Sequence, residues 1–325
     1  MKRRAFISLL SGAAVAWPIA TRAQQPQAPV IGFLHGGAPA QNADRLAGFR
    51  KGLRETGFVE GQNVEIEFRW AEGQTERLPE LAADLVRRQV AVIATLSASQ
   101  AALAAKAATN MIPIVFQVGS DPVAMGLVAS LRRPGGNATG ISTLNAEITE
   151  KRIGLLRELV PQAAVIGVLV NPTNPSAGEI SRDVQATAVG VQLQILPAST
   201  DSEIEAAFAT PALQRSGALV VSTDPLFFIR RAQLAALAAR NGVPTIYYDR
   251  QFAYSGGLMS YGTDSVSAWQ QAATYVSRIL KGERPADLPV AQAAKFEMVI
   301  NLKTAKTLDL TFPPTLLALA DEVIE

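Results

Sequence analysis

The sequence predicts an α/β protein of two similar lobes, each built on a parallel sheet flanked by helices. Three observations carry that prediction. From residue 29 onward, short apolar runs rich in Val and Ile alternate with segments of helical periodicity. The second half of the chain repeats the plan of the first at a spacing of about 130 residues. The apolar runs also end in Gly, Ser, Thr, Asp or Asn before the next helix, as "IPIVFQVGSDPVAMG" does.

In order, "PVIGFLHGG" reads as a strand running into a Gly loop. "ADRLAGFRKGLRETG" is helical, with Leu46, Phe49 and Leu53 on one face and Gly57 as its stop. "NVEIEFRW" alternates as a strand, "LPELAADLVRRQ" is a helix with Pro79 in its first turn, and "VAVIATL" is a buried strand. "SASQAALAAKAATN" is a helix opened by serines, and "IPIVF" is the next strand. The second half parallels these with "AVIGVLVNPTNP", "GALVVSTDPLF" and "NGVPTIYYDR". The offsets are 135 for Ile31 to Ile166, 127 for Ile93 to Val220 and 131 for Pro113 to Pro244.

That spacing predicts two Rossmann-like lobes: residues 29–141 with about 262–290, and residues 142–261 with about 291–325. At 325 residues the chain is also long for one core. "GGNATGISTLN" and "YSGGLMSYGTD" fall between the repeats and read as the crossovers, hence as hinges. "DSVSAWQQAATYVSRILKGERP" reads as a helix with Asp264 as N-cap and Gly282 as stop. "KFEMVINLKTAKTL" reads as a strand and helix, and "PPTLLALADEVI" as a docked tail.

The opening "MKRRAFISLLSGAAVAWPIATRAQQ" reads as an export signal at residues 1–23, with a basic start, an apolar stretch and a small-residue cleavage site near Ala23. Arg3-Arg4 is compatible with the twin-arginine route, with the Sec route also open. Cleavage removes Lys2, Arg3, Arg4 and Arg22 and no acidic residue, taking the formal charge from +2 to −2. A nearly neutral mature chain shows no basic face for nucleic acid. With no cysteine there is no disulfide framework, thiolate metal site or lipid-modified cysteine. The expectation is an unanchored, monomeric protein in the periplasm.

No catalytic or cofactor motif is present: there is no G-x-S-x-G, Walker sequence, G-x-G-x-x-G or H-E-x-x-H, and the single histidine, His35, has no nucleophile to serve. Binding chemistry is better supplied. In parallel α/β sheets ligands sit at the carboxyl ends of the strands. Those ends place His35, Gly36, Ser97, Ser99, Gln117, Ser120 and Asp121 in the first lobe, facing Asn171, Asn174, Thr223, Asp224, Tyr248 and Asp249 in the second. Ser97 and Ser99 either cap a helix or hold an anion at its N-terminus. Asp121 either caps a turn or meets the ligand. Asp224 and Asp249 suit a ligand ammonium group, with salt bridges to Arg230 or Arg250 as the competing reading. Tyr247, Tyr248 and Phe227 are candidate packing surfaces for a hydrophobic ligand side chain. A carboxylate site opposite an ammonium site is the layout an α-amino acid requires.

"GFRKGLRETGFVEGQNVEIEFRWAEG", "AALAAKAATNMIPIVFQVGSDPVAMGLVASLRRPGGNATGIS", "LVNPTNP" and "GGLMSYGTD" resemble the TrpX-like family of ABC transporter substrate-binding proteins, across essentially the whole mature chain. The resemblance implies a type I periplasmic binding protein architecture, hinge closure of two lobes on a small amino acid-like or carboxylate-bearing ligand, and delivery to an inner-membrane permease. It also implies a ligand carboxylate near Ser97 and Ser120 and an ammonium near Asp224 or Asp249. Two rivals remain at the level of sequence: a ligand sensor for a membrane kinase, and an exported two-domain hydrolase.

Overall fold

The computed structural model describes residues 28–97, 99–143, 145–174, 177–186, 192–293 and 295–325. The export segment at residues 1–23 lies outside them.

The first sheet is laid down by β1 (Val30–His35), β2 (Glu65–Trp70), β3 (Val92–Thr95), β4 (Ile114–Val118) and β5 (Ala138–Ser142), in the order β5-β4-β3-β1-β2 and parallel throughout. Helices α1 (Ala43–Glu55), α2 (Leu78–Arg87) and α3 (Ser99–Ala108) connect the first four strands. Buried on both faces, β3 and β4 are close to continuously apolar, as a covered parallel sheet requires. One face packs Leu46, Phe49 and Leu53 of α1, the periodic residues of the sequence, and the other packs Ala82 and Leu85 of α2 with the alanines of α3.

The chain then crosses to the second sheet. There α4 (Asn145–Leu159), β6 (Val165–Val170), α5 (Ala177–Ala186) and β7 (Gln192–Pro197) are followed by α6 (Asp201–Phe208), α7 (Pro211–Ser216) and β8 (Gly217–Val221). Next come α8 (Pro225–Ile229), α9 (Arg231–Arg240), β9 (Thr245–Tyr247), α10 (Arg250–Tyr254) and β10 (Met259–Thr263). Strand order β10-β9-β8-β6-β7 repeats that of the first sheet. The lobes therefore share one topology. The amides of Ile93 and Leu219 bond the carbonyls of Pro113 and Pro244, at 2.8 and 2.9 Å, so Leu219, one residue before the expected Val220, is the partner of Ile93 in the repeat.

From β10 the chain returns to the first lobe as α11 (Ser265–Leu280), which packs along α1, and as β11 (Ala291–Gln292), which pairs with β5. It crosses a last time into β12 (Phe296–Asn301), α12 (Leu302–Thr307), α13 (Pro314–Leu319) and β13 (Glu322–Ile324). β12 runs antiparallel to β10, so the second sheet is mixed, and β13 adds the tail as its edge strand. Asp264 caps α11 by accepting from Ser267 N at 3.0 Å, and Gly282 stops the helix at φ +101°.

Three crossings thus join the lobes, near residues 143–145, 264 and 293–295. The glycine-rich segments read as crossovers contain the strands β5 and β10, where Gly140 and Gly262 serve close approach. A Cβ on Gly140 of β5 would stand 1.9 Å from the Phe116 carbonyl oxygen, and one on Gly262 of β10 1.9 Å from that of Tyr248. The passage between lobes comes after each strand, at the end of its segment. Among the described residues no helix is long and apolar enough to cross a membrane.

Candidate functional site

The carboxyl ends of the strands from both sheets face one another across a cavity of about 100 Å³. The first lobe contributes His35 from the end of β1, Ser97 and Ser99 where β3 enters α3, and Gln117 and Ser120 from the end of β4. The second contributes Asn174, Thr223, Asp224, Tyr248 and Asp249 from the ends of β6, β8 and β9. Three expected residues are not on its wall. Gly36 is replaced there by Gly37. Asp121 is exposed and accepts from Val123 N at 2.8 Å, the capping contact of its turn. Asn171 stands behind Asp224, its Nδ2 donating to Asp224 Oδ1 at 3.2 Å.

His35 is buried beside Trp70 and Trp269, with ring centroids at 5.0 and 5.7 Å. Its Nδ1 accepts from Gly37 N at 2.8 Å, which puts the imidazole proton on Nε2, a buried atom with no partner. Burial, aided by the Arg45 charge, lowers its pKa to about 3, so the ring is neutral at physiological pH. Ser97 sits in the left-handed region at φ +56°. Its hydroxyl donates to Gln117 Oε1 at 2.7 Å and accepts from Trp269 Nε1 at 2.9 Å. Ser99, the first residue of α3, carries that helix N-terminus to the cavity wall.

The two carboxylates of the second lobe have different partners. Asp249 caps α10 through Gln251 N at 3.0 Å, and its Oδ2 accepts from Ser265 Oγ at 3.0 Å and pairs with Arg45 Nη2 from the first lobe. Neither local arginine takes it: Arg250 pairs with Glu297 and Glu322, and Arg230 with Asp201. Asp224 caps α8 through Leu226 N at 2.8 Å and is held by the amides of Asn171 and Asn174, the latter at 2.7 Å. All of these donors are neutral, and burial pushes its pKa up against them. It has no cationic partner among the described residues.

Two charged cavity residues escaped the sequence reading because they lie on helices rather than at strand ends. Arg45 of α1 lies with its guanidinium carbon 4.1 Å from the centre of the Phe228 ring. Arg152 of α4 is 1% exposed, donates through Nε to the Tyr261 carbonyl at 2.7 Å, and keeps Nη1 buried without a partner. Burial lowers its pKa to about 10, which leaves it protonated at neutral pH. The only sequence signal was an arginine at a helical position otherwise occupied by core residues: Ile153, Leu155 and Leu156 beside it are buried. Thr223 Oγ1 and Thr263 Oγ1 are also buried, unpartnered and on the cavity wall. Phe228, Ile180, Ile229 and Tyr248 supply the apolar wall, whereas Phe227 and Tyr247 pack in the core of the second lobe. The Tyr248 hydroxyl donates to the Asp224 carbonyl at 2.8 Å. Among the described residues no group of His, Cys, Asp and Glu could hold a metal ion.

This architecture has close counterparts. A tyrosine-binding protein of Clostridioides difficile strain R20291 is 29% identical over 270 residues, covering 81% of this chain and 76% of that one. A conserved domain protein of Vibrio cholerae superposes with a TM-score of 0.84 at 28% identity, over 91% of this chain and all of that one. An ABC domain from Streptococcus pneumoniae in complex with L-Trp superposes with a TM-score of 0.83 at 25% identity, with the same coverage. An open, ligand-free substrate-binding protein of Clostridium difficile, also 25% identical and matched over 91% of this chain and 99% of that one, gives 0.67. The family model for ABC transporter substrate binding proteins matches residues 30–324, nearly the whole described chain, and the protein belongs to that family.

Proposed function

We propose that the protein is the exported receptor of an ABC importer and closes its two lobes on a zwitterionic amino acid with an apolar, aromatic side chain. The observation that carries this reading is a pair of uncompensated opposite charges in one interlobe cavity, Arg152 and Asp224. Burying a charge without a counter-charge is costly, and a zwitterion supplies both counter-charges at once. The ligand carboxylate meets Arg152 and the hydroxyls and amides at the cavity wall; the ammonium meets Asp224. Phe228, Ile180, Ile229 and Tyr248 receive the side chain.

The relatives support the ligand class, since one is named for tyrosine and another was solved with L-Trp. The difference between TM-scores of 0.83 with that complex and 0.67 with the open, ligand-free protein, at equal identity, supports lobes drawn together about a hinge. Catalysis has no support in the cavity: His35 is buried, neutral and far too weak a base at pH 7 to accept a proton. The receptor acts as a monomer in the periplasm and hands its ligand to an inner-membrane permease. Thermal unfolding of residues 24–325, stripped of ligand, against amino acids, organic acids, sugars and purines tests this reading. Ligand at a hundredfold excess over Kd stabilises by about 2.7 kcal/mol. Aromatic amino acids are expected to raise Tm; a rise with sugars or purines alone contradicts the reading.

A further inference from the structure

Arg45 belongs to the first lobe and makes its strongest contacts in the second. Its Nη2 pairs with Asp249 Oδ2, and its guanidinium lies on the Phe228 ring. Its Nη1 donates to Asn42 Oδ1 at 3.0 Å, which anchors the group to its own lobe. The Arg45 and Asp249 side chains are 9% and 5% exposed. Asp249 also accepts from Ser265, the residue that follows the second crossing, so the pair is tied to the hinge.

Arg45, Asp249 and Ser265 together also form a partition. On one side is the ligand cavity; on the other is a second interlobe cavity of about 270 Å³, whose walls include Asn42, Asp44, Arg250 and Glu297. None of these interlobe contacts involves ligand atoms. Each exists only while the lobes are together, so each adds to closure whatever the cavity holds.

We infer that Arg45 is the positioning residue for lobe closure: a latch that seats on Phe228 and Asp249 and gives the closed form a stability of its own. The inference rests on the reading of the protein as a hinged receptor. In an open form both charges return to water, where each is solvated alone, so losing the latch alters the open–closed balance more than the folding of either lobe. A ligand then needs to supply only the remainder of the closing free energy, and its apparent affinity rises with the closed fraction.

The test is an interlobe distance, measured with and without added L-tryptophan or L-tyrosine. The chain has no cysteine, so Glu76→Cys and Ala232→Cys place one spin label on each exposed rim, flanking the contact between the Gly73 loop and Ile229. Without ligand, Arg45→Ala is expected to shrink or abolish the short-distance population seen in the otherwise unaltered pair, and Arg45→Lys to retain part of it. Asp249→Asn, which keeps an oxygen to cap α10, is expected to act like Arg45→Ala and serves if that variant does not fold. Apparent affinity for whichever amino acid binds should fall by about tenfold or more in Arg45→Ala, chiefly through faster release. If neither Arg45→Ala nor Asp249→Asn changes the short-distance fraction, the latch is refuted. If neither amino acid moves the distance in the parent but both variants lengthen it, the latch stands and the ligand assignment falls.

Discussion

Arg152 and Asp224 line one cavity with opposite charges and pair neither with each other nor with any other charged side chain among the described residues. Arg152 is held by a single backbone carbonyl, and Asp224 by neutral amides. A charge-assisted contact to ligand at each end is the interaction that matches this arrangement. Arg152→Met, which preserves the length of the stem, and Asp224→Asn, which preserves a capping oxygen, should each weaken binding of an aromatic amino acid by about 2 kcal/mol or more. Calorimetric titration of each variant checks this, with Tm in buffer confirming the fold.

His35 makes the cavity acid-sensitive. Its pKa is lowered to about 3 by burial and by Arg45, whereas the unfolded chain titrates near 6.5. The stability contributed by the neutral ring is therefore full above pH 6.5 and is lost progressively as pH falls from 6.5 toward 3, by about 2 kcal/mol at pH 5. In His35→Asn the decline in Tm between pH 7 and 5 should be shallower than in the parent.

Glu297 works in the opposite direction. It is 7% exposed, and burial raises its pKa to about 7 despite the 2.9 Å ion pair with Arg250, with Asp264 and Asp249 adding repulsion. The folded form therefore binds a proton more tightly than the unfolded chain, and stability falls as pH rises from 4.5 through 7, by about 1–3 kcal/mol. Glu297→Gln removes that slope. Its Tm relative to the parent should be higher at pH 8 than at pH 5, and a constant difference would show that Glu297 does not titrate in this range.

Gly262 and Gly36 offer a paired test of backbone packing beside the cavity. A methyl group at Gly262 would stand 1.9 Å from the Tyr248 carbonyl oxygen, whereas nothing lies within 4 Å of one at Gly36. Gly262→Ala should cost about 2–4 kcal/mol by forcing β10 from β9 and should disturb Tyr248 in the cavity. Gly36→Ala should stay within about 0.5 kcal/mol of the parent. Chemical denaturation of both variants compares them directly.

The strand–helix alternation and the repeat were legible because parallel strands buried on both faces are written as runs of Val, Ile and Ala, and amphipathic helices as a 3.6-residue period. Strand ends were legible for the same reason, so His35, Ser97, Gln117, Asp224 and Tyr248 could be assigned to one cavity from sequence. Arg45 and Arg152 were not. An arginine on a helix reads as a solvated face; Arg152 is buried within the second lobe, against the Tyr261 carbonyl, and Arg45 by the apposition of two lobes, through its contact with Asp249, 204 positions away. The same long-range contact decided the fate of Asp249, which sequence proximity had offered to Arg250. Gly140 and Gly262 misled in another way: a glycine needed for close strand approach and one needed for a hinge look alike in sequence.

Recognition of both charged ends of an amino acid by one cavity is open to test by truncating the ligand. The most direct measurement is calorimetric titration of the ligand-stripped protein with L-tryptophan, tryptamine and indole-3-propionate, which share a ring and differ in the charged groups they keep. L-tryptophan is expected to bind, and removing either the carboxylate or the ammonium to weaken binding by about a hundredfold or more. Equal affinity for L-tryptophan and either truncated compound would contradict it.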